Sequence, residues 1–508
     1  MTRIKNTIKN TSVGIIAQVV TILINFINRT IFIRFLGVEY LGISGLLSNI
    51  LSMLSLAELG IGVAIVFNLY KPLLDNNRKK IKALMHFYQQ AYRIIGIVVL
   101  ILGLCLIPFL DVIIKEQPDV PYFNVIYVLF LLNTVVSYFF AYKRSIFSAD
   151  QKEYQNTMNR TFFSIIQSVL QFLVLLIFKN YLLYLCVVII CTLASNIHIS
   201  IVCDKQYPYL KNNKEQLDKF EKRSLMKYVF AQMSHKVGGV VVSGTDNILT
   251  SAFVTNGLTV VGLYSNYLLL INAIRSMLNI VFNSVMASVG NLNAEDNSQK
   301  SKAVFDKMFF LNMCFFGITS CCFWNLLDDF ITLWIGESYL LQREVMLVIV
   351  VNYYITGMRQ SCITFNTTLG LFWNDRFKPW IESLINLIGS LILIKYFGFL
   401  GVLLGTLVST LLTSFWVEPV ILYKHGFRKN VLDYFKKYFT YAVVILLASL
   451  VAWFIGKFII VSNWILWIFK GIITFGTCLI IVIIFLGRTK ECRELINMAR
   501  MVIRKIGK

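Results

Sequence analysis

The chain carries fourteen apolar runs of bilayer length, and that pattern constrains its fold more than any other feature. An apolar stretch of about 20 residues spans a bilayer as an α-helix, because only a helix satisfies its own backbone polar groups in hydrocarbon. The runs fall at 12–36, 42–70, 84–110, 121–147, 158–178, 181–203, 227–254, 258–289, 304–328, 340–370, 373–395, 398–423, 433–456 and 463–487. Several exceed the minimum length, which predicts tilt or a break. The first, from Val13 to Leu36, is too long for a signal h-region and has no small-residue cleavage site, so it is kept as a helix. Charged residues make up only 15% of the chain, against about 25% in soluble proteins. Soluble enzyme, disordered scaffold and secreted disulfide domain are excluded together. The expected fold is an all-α polytopic membrane protein.

Charge assigns the sides. Taken with the adjoining span ends, the amino terminus, the even-numbered loops and the carboxyl tail hold 36 Lys and Arg, while the odd-numbered loops hold five: Lys115, Lys179, Arg343, Lys395 and Lys457. This asymmetry predicts cytoplasmic termini and an even number of spans. The net charge of +22 is thus spread in short clusters between apolar runs, which argues for membrane topology rather than nucleic-acid binding. The ten cysteines include no CxxC spacing, and most lie inside apolar runs, where packing is the simplest reading; the adjacent Cys321 and Cys322 are read the same way.

The polar connection from Asp204 to Lys227 divides the first twelve spans into two sets of six. This organisation predicts an N-terminal lobe at 1–226 and a C-terminal lobe at 227–430. Two further spans follow at 431–487, then a basic amphipathic tail at 488–508. Six is even, so any repeat between the lobes is parallel. A shift of 220 residues places Leu41-Gly42-Ile43 on Val261-Gly262-Leu263 and Lys82-Ala83 on Lys302-Ala303. In the tail, Leu495, Ala499, Val502 and Ile506 recur at helical spacing, so it is expected to lie on the lipids of the inner surface. The odd-numbered loops are too short to fold into a catalytic domain.

An ionisable group at mid-bilayer costs about 2.5–3.5 kcal/mol on insertion scales, so it ordinarily faces a cavity or a partner. Gln18, Asn25 and Arg29 share one helical face of the first span, with Arg34 beyond them. His235, Gly239, Ser243, Asp246 and Thr250 form a stripe in the seventh, beside Lys236. Asn272, Arg275, Asn279 and Asn283 form another in the eighth, and Asn352, Thr356 and Arg359 a third in the tenth; Glu58 lies in the second. Arg29, Arg34, Lys236, Arg275 and Arg359 outnumber Glu58 and Asp246, which predicts a positive central cavity between two six-helix bundles. Such a cavity attracts an anion, and arginine binds phosphate through a planar fork of donors.

Plainer roles stand beside these. Arg34 and Lys236 can snorkel to the headgroups, Glu58 can simply neutralise Arg29 or Arg275, and Asp246 can be a counter-ion to Lys236 or a cation-coupling carboxylate. For Glu382 and Glu418, near inner helix ends, snorkelling or pairing with the tail is the default. Arg29, Arg275 and Arg359 sit deepest on polar stripes and are the first choices as ligand residues. No cofactor is expected. The sequence has no GxxxxGK[ST], HExxH or GxSxG, and histidines at 86, 198, 235 and 425 are not spaced to hold a metal.

Several stretches carry a family likeness. They are Arg34-Phe-Leu-Gly-Val-Glu-Tyr-Leu-Gly42, Leu54-Ser-Leu-Ala-Glu-Leu-Gly-Ile-Gly62, Tyr70-Lys-Pro72, Ser243-Gly-Thr-Asp-Asn-Ile248 and Gly262-Leu-Tyr-Ser-Asn-Tyr267. Gly290-Asn-Leu-Asn293, Gly370-Leu-Phe-Trp-Asn-Asp-Arg-Phe-Lys-Pro379 and Ser414-Phe-Trp-Val-Glu-Pro419 complete the set. Over residues 1–430 the chain resembles Wzx-type oligosaccharide flippases of the multidrug/oligosaccharidyl-lipid/polysaccharide exporter superfamily. The resemblance implies two six-helix bundles in a V plus two extra helices. It also implies a monomer that moves undecaprenyl-pyrophosphate-linked oligosaccharide across the bacterial cytoplasmic membrane, coupled to protons, sodium ions or the membrane potential, alongside a polysaccharide polymerase partner. On this reading Arg29, Arg275 and Arg359 hold the pyrophosphate, assisted by Lys236, Arg34, Asn25, Asn272 and Asn279. Glu58 and Asp246 take the coupling ion or act as counter-charge. The rivals are a cation-coupled drug antiporter of the same fold, which would need an acidic cavity, and a membrane polymerase, which would need a large outer loop or an exposed His/Asp pair.

Overall fold

The structure is a computed structural model and describes residues 2–55, 61–110, 120–211, 215–223, 225–226, 244–294, 298–369, 371 and 374–497. Regular structure among these residues is entirely helical. The first part of the chain forms α1 (Thr2–Leu36), α2 (Val38–Leu54), α3 (Ile61–Leu74), α4 (Arg78–Leu106), α5 (Phe123–Ala141), α6 (Arg144–Ala149), α7 (Glu153–Phe178) and α8 (Tyr181–Gln206). After a helical segment at 244–253 come α9 (Gly257–Ala294), α10 (Ser298–Asn312), α11 (Ile318–Ile335), α12 (Arg343–Met358) and α13 (Gln360–Thr368). The chain continues as α14 (Lys378–Phe397), α15 (Phe399–Leu412), α16 (Ser414–Ile421), α17 (Leu432–Gly456) and α18 (Trp464–Leu486).

These helices follow the apolar runs read from the sequence. Among the described residues, ten helices are long and apolar enough to cross a membrane, and Val38–Leu54 and Phe123–Phe139 are shorter apolar helices. Among the described residues several runs contain breaks: 121–147 divides into α5 and α6, 340–370 divides at Arg359 into α12 and α13, and 398–423 divides at Thr413 into α15 and α16. Of the run 227–254, only 244–253 lies within the described residues.

Local chemistry sets the ends. Asn77, Asn180 and Asn463 precede α4, α8 and α18, and each side chain accepts from a backbone N–H three residues on. This satisfies one of the orphan donors of a helix start. Between α14 and α15 the reversal rests on Gly398 alone, at φ 56°, a conformation that costs glycine nothing. The large apolar side chains left exposed, such as Ile465, Ile468, Ile472 and Phe475 on α18, form a lipid-facing surface. Cys321 and Cys478 pack with Ile318, Ala448 and Ala452, so these cysteines act as small apolar residues.

The chain forms two compact units, Met1–Ser265 and Asn266–Lys508. Within the first unit the start of α9 packs against α2. A Cβ on Gly42 would strike the Leu258 backbone oxygen, and one on Gly262 would strike the Val38 backbone oxygen. The two glycines paired by the 220-residue repeat therefore meet at one helix crossing, where only hydrogen lets the backbones approach. Gly42→Leu is expected to destabilise the protein by about 1–3 kcal/mol or more through overpacking. Thermal unfolding in detergent would show this, with Gly14→Ala, which has open space around it, unchanged.

In the second unit, Phe305, Phe309, Phe365, Tyr423, Phe427 and Tyr434 form a buried aromatic core joining α10, α13 and α17. Phe309 and Tyr434 have ring centroids 4.8 Å apart. Residues 490–497 are helical and tied to this unit by ion pairs, Lys437 to Glu491 at 2.6 Å and Lys307 to Glu494 at 2.7 Å. The start of the tail is thus held through its own glutamates by lysines of the second unit; residues 498–508 lie outside the described residues.

Candidate functional site

In the first unit, α1 carries Arg29 at the position predicted from its polar stripe. The Gly42–Gly262 crossing brings α9 close, and Arg29 Nη1 donates to Ser265 Oγ at 2.8 Å. Ser265 Oγ in turn donates to the Gly262 carbonyl at 2.6 Å, which orients the hydroxyl. An aromatic wall stands beside this pair. Phe32 packs edge-on to Tyr184 at 5.4 Å, and the Tyr181 hydroxyl lies 2.6 Å from Ser44 Oγ. Among the described residues, no carboxylate lies within ion-pair distance of Arg29. A half-buried guanidinium with a single hydroxyl partner keeps most of its five N–H donors for another acceptor.

Other predicted residues of this unit are placed less tightly. Asn25 and Arg34 are exposed. Asp246 is buried in the segment 244–253, where its backbone carbonyl accepts from Thr250 Oγ1 at 2.7 Å. Glu58 and Lys236, and with them His235, Gly239 and Ser243, lie outside the described residues.

In the second unit, α9 carries Asn272, which is exposed, and Arg275 and Asn279, which are half-buried. The Arg275 guanidinium lies over the Tyr353 ring at 5.5 Å, a cation–π contact. Tyr353 is fixed in turn by its hydroxyl, 2.9 Å from Thr319 Oγ1.

Arg359 has a different environment from the open one expected. At the α12–α13 break its Nε and Nη2 donate to the two Glu418 oxygens at 3.1 and 2.7 Å, a bidentate fork. Its Nη1 lies 3.7 Å from Glu382 Oε1. Lys378, held at the start of α14 by the following Pro379, places Nζ 2.5 Å from Glu418 Oε1 and 3.8 Å from Asp375. Glu382 also accepts from Ser414 Oγ at 2.6 Å. Glu418 is only 2% exposed. Its carboxylate pairs with Arg359 and Lys378, where the sequence had suggested snorkelling or pairing with the tail. The missed signal was the distance in sequence: Arg359 and Glu418 are 59 residues apart, beyond the reach of any local spacing.

Among the described residues the arrangement contains polar and charged side chains within apolar helices. Comparison with solved structures gives this arrangement a fold. The chain is similar to the lipid II flippase MurJ in an inward closed conformation, with a TM-score of 0.66 and 14% identity over 95% of this chain and 99% of that one. It is also similar to an inward-facing multidrug resistance MATE family transporter of the MOP superfamily (TM-score 0.59, 14% identity, 80% of this chain and 96% of that one). A Vibrio cholerae MATE transporter, VcmN, matches at TM-score 0.59 and 12% identity over 85% and 98%. The protein thus has the MOP-type transporter fold. A family model described as "Polysaccharide biosynthesis protein" matches residues 7–287, more than half of the chain, and the protein belongs to that family. No curated protein sequence matches significantly. The family is one of polysaccharide biosynthesis, and the fold is one that solved multi-pass membrane transporters have.

Proposed function

We propose that the protein translocates undecaprenyl-pyrophosphate-linked oligosaccharide repeat units from the inner to the outer leaflet of the bacterial cytoplasmic membrane, by alternating access, for surface polysaccharide assembly. The observation that carries this reading is Arg29, a guanidinium inside an apolar helix with no carboxylate beside it among the described residues. A pyrophosphate supplies the missing charge and matches the fork geometry. The family's polysaccharide description and the fold likeness to a protein titled a lipid II flippase support the same reading.

In this proposal Arg29 and Arg275 contact the headgroup, with Arg34, Lys236, Asn25, Asn272 and Asn279 serving the sugars and phosphates. Arg359 joins them only in a state where Glu418 has released it. Glu58 and Asp246 respond to a proton, sodium ion or the membrane potential, and both termini face the cytoplasm. A polysaccharide polymerase then consumes the flipped unit.

The test is lipid analysis after deletion of the gene with glycan synthesis intact. Accumulation of lipid-linked repeat units on the inner leaflet, with loss of surface polymer, is the expected result. Single repeat units accumulating on the outer leaflet would identify a polymerase. Unchanged lipids with altered drug tolerance would identify an antiporter.

A further inference from the structure

The junction of α6, α7 and α8 holds a second arginine that, among the described residues, has no carboxylate within ion-pair distance. Arg144, at the start of α6, donates from Nη2 to Asn159 Oδ1 and Ser195 Oγ, each at 2.9 Å, and to Asn196 Oδ1 at 3.1 Å. All of these acceptors are neutral. Its Nη1 is buried with no hydrogen-bond partner. Glu153 acts on Arg144 only at a distance, and its Oε2 accepts from Ser148 at 2.5 Å and Asn156 at 2.9 Å. The adjacent Arg160 is exposed and near enough for its charge to act on Arg144, so two like charges stand together.

Asn159 is the hub of this cluster, and it also fixes a histidine. Because Asn159 Oδ1 accepts from Arg144 and from Ser195 Oγ (2.8 Å), its amide nitrogen is the donor to His198 Nδ1 at 2.9 Å. The ring proton of neutral His198 therefore sits on Nε2, on an exposed side chain. Arg144 Nη1, the Arg160 guanidinium and His198 Nε2 are all donors. A cluster of donors with two positive charges and, among the described residues, no carboxylate in ion-pair contact with them suits an anion.

Depth indicates where that anion comes from. Helix α7 has 26 residues and is about 39 Å long, close to the full bilayer of about 40–45 Å with its headgroups. Asn159 and Arg160 lie about 9–11 Å from the start of α7, near the edge of the hydrocarbon core. Met158 and Phe162 on either side are exposed and apolar, as lipid-contacting residues are. We infer that Arg144, Arg160 and His198 bind the phosphate of an anionic membrane lipid at the α6–α7–α8 junction, a site separate from cargo transport.

The experiment uses the full chain in phosphatidylcholine nanodiscs doped with phosphatidylglycerol, with bound lipid counted by native mass spectrometry. Wild type is expected to retain phosphatidylglycerol about tenfold more strongly than Arg160→Gln. His198→Gln should be intermediate, and excess inorganic phosphate should not displace the lipid. Arg144→Gln removes part of the packing as well, so the exposed Arg160 and His198 carry the test. Equal retention by wild type and Arg160→Gln would overturn the site. Displacement by inorganic phosphate would overturn the lipid assignment in favour of a soluble anion. Arg29→Gln should leave retention unchanged, so failure of the flippase reading and failure of this one are separable.

Discussion

Replacing Arg29 by glutamine is expected to lower export of surface polysaccharide by roughly ten- to hundredfold while the protein still folds. A charge-assisted hydrogen bond is worth about 1.5–3 kcal/mol, and that is the scale of the transport loss expected if this guanidinium holds the headgroup. The folded state depends on Arg29 much less. Among the described residues its hydrogen bond goes to Ser265, and glutamine can still donate there. Thermal unfolding of Arg29→Gln in detergent should therefore stay near wild type. Arg29→Lys keeps the charge but loses the planar fork, so its export should fall between the two. Normal export by Arg29→Gln at normal expression would remove Arg29 from the mechanism. Arg275→Ala is expected to abolish export as well, and retained transport with normal expression would exclude that residue in the same way.

Glu418→Ala should have the largest effect on stability. It strips the shared carboxylate from Arg359 and Lys378, leaving two cations crowded together at a buried position. Removing one partner of a buried ion pair costs about 3–5 kcal/mol, because the remaining charge is neither solvated nor paired. Glu382 lies 3.7 Å from Arg359 and offsets only part of that loss. The double variant Arg359→Met/Glu418→Met removes both members of the buried fork and is expected to recover most of the stability. Lys378 keeps Asp375 in that background. Equilibrium unfolding of the three proteins in the same detergent measures the difference. An unchanged Glu418→Ala would mean that water already solvates these charges.

The two predictions differ in how far the sequence could reach. Arg29 was legible because Gln18, Asn25 and Arg29 repeat on one helical face, and helical periodicity is written within a single run. Glu418 was not. Near the inner end of an apolar run, a carboxylate reads as snorkelling or bound to the tail until the helix opposite it is known. Its partners lie 59 and 40 residues away, on other helices. Arg144 and Arg160 were counted among the basic residues of one membrane side, and nothing in their spacing marks the neutral Asn159–Ser195–Asn196 cradle that holds Arg144. The Gly42–Gly262 correspondence was visible as a weak repeat, but its contact was not.

The amino-acid sequence by itself determined the helical spans, the asymmetry of charge across them and the capped starts of α4, α8 and α18. Each of these is a sum over neighbouring residues: hydropathy over about 20 positions, or one side chain reaching a backbone amide three residues on. The tertiary structure alone decided which buried charges are neutralised and which keep free donors. Arg29 meets Ser265 across 236 residues, whereas Arg359 meets a carboxylate. That choice depends on which helix faces come together, and close packing such as the backbone approach at Gly42 and Gly262 sets it.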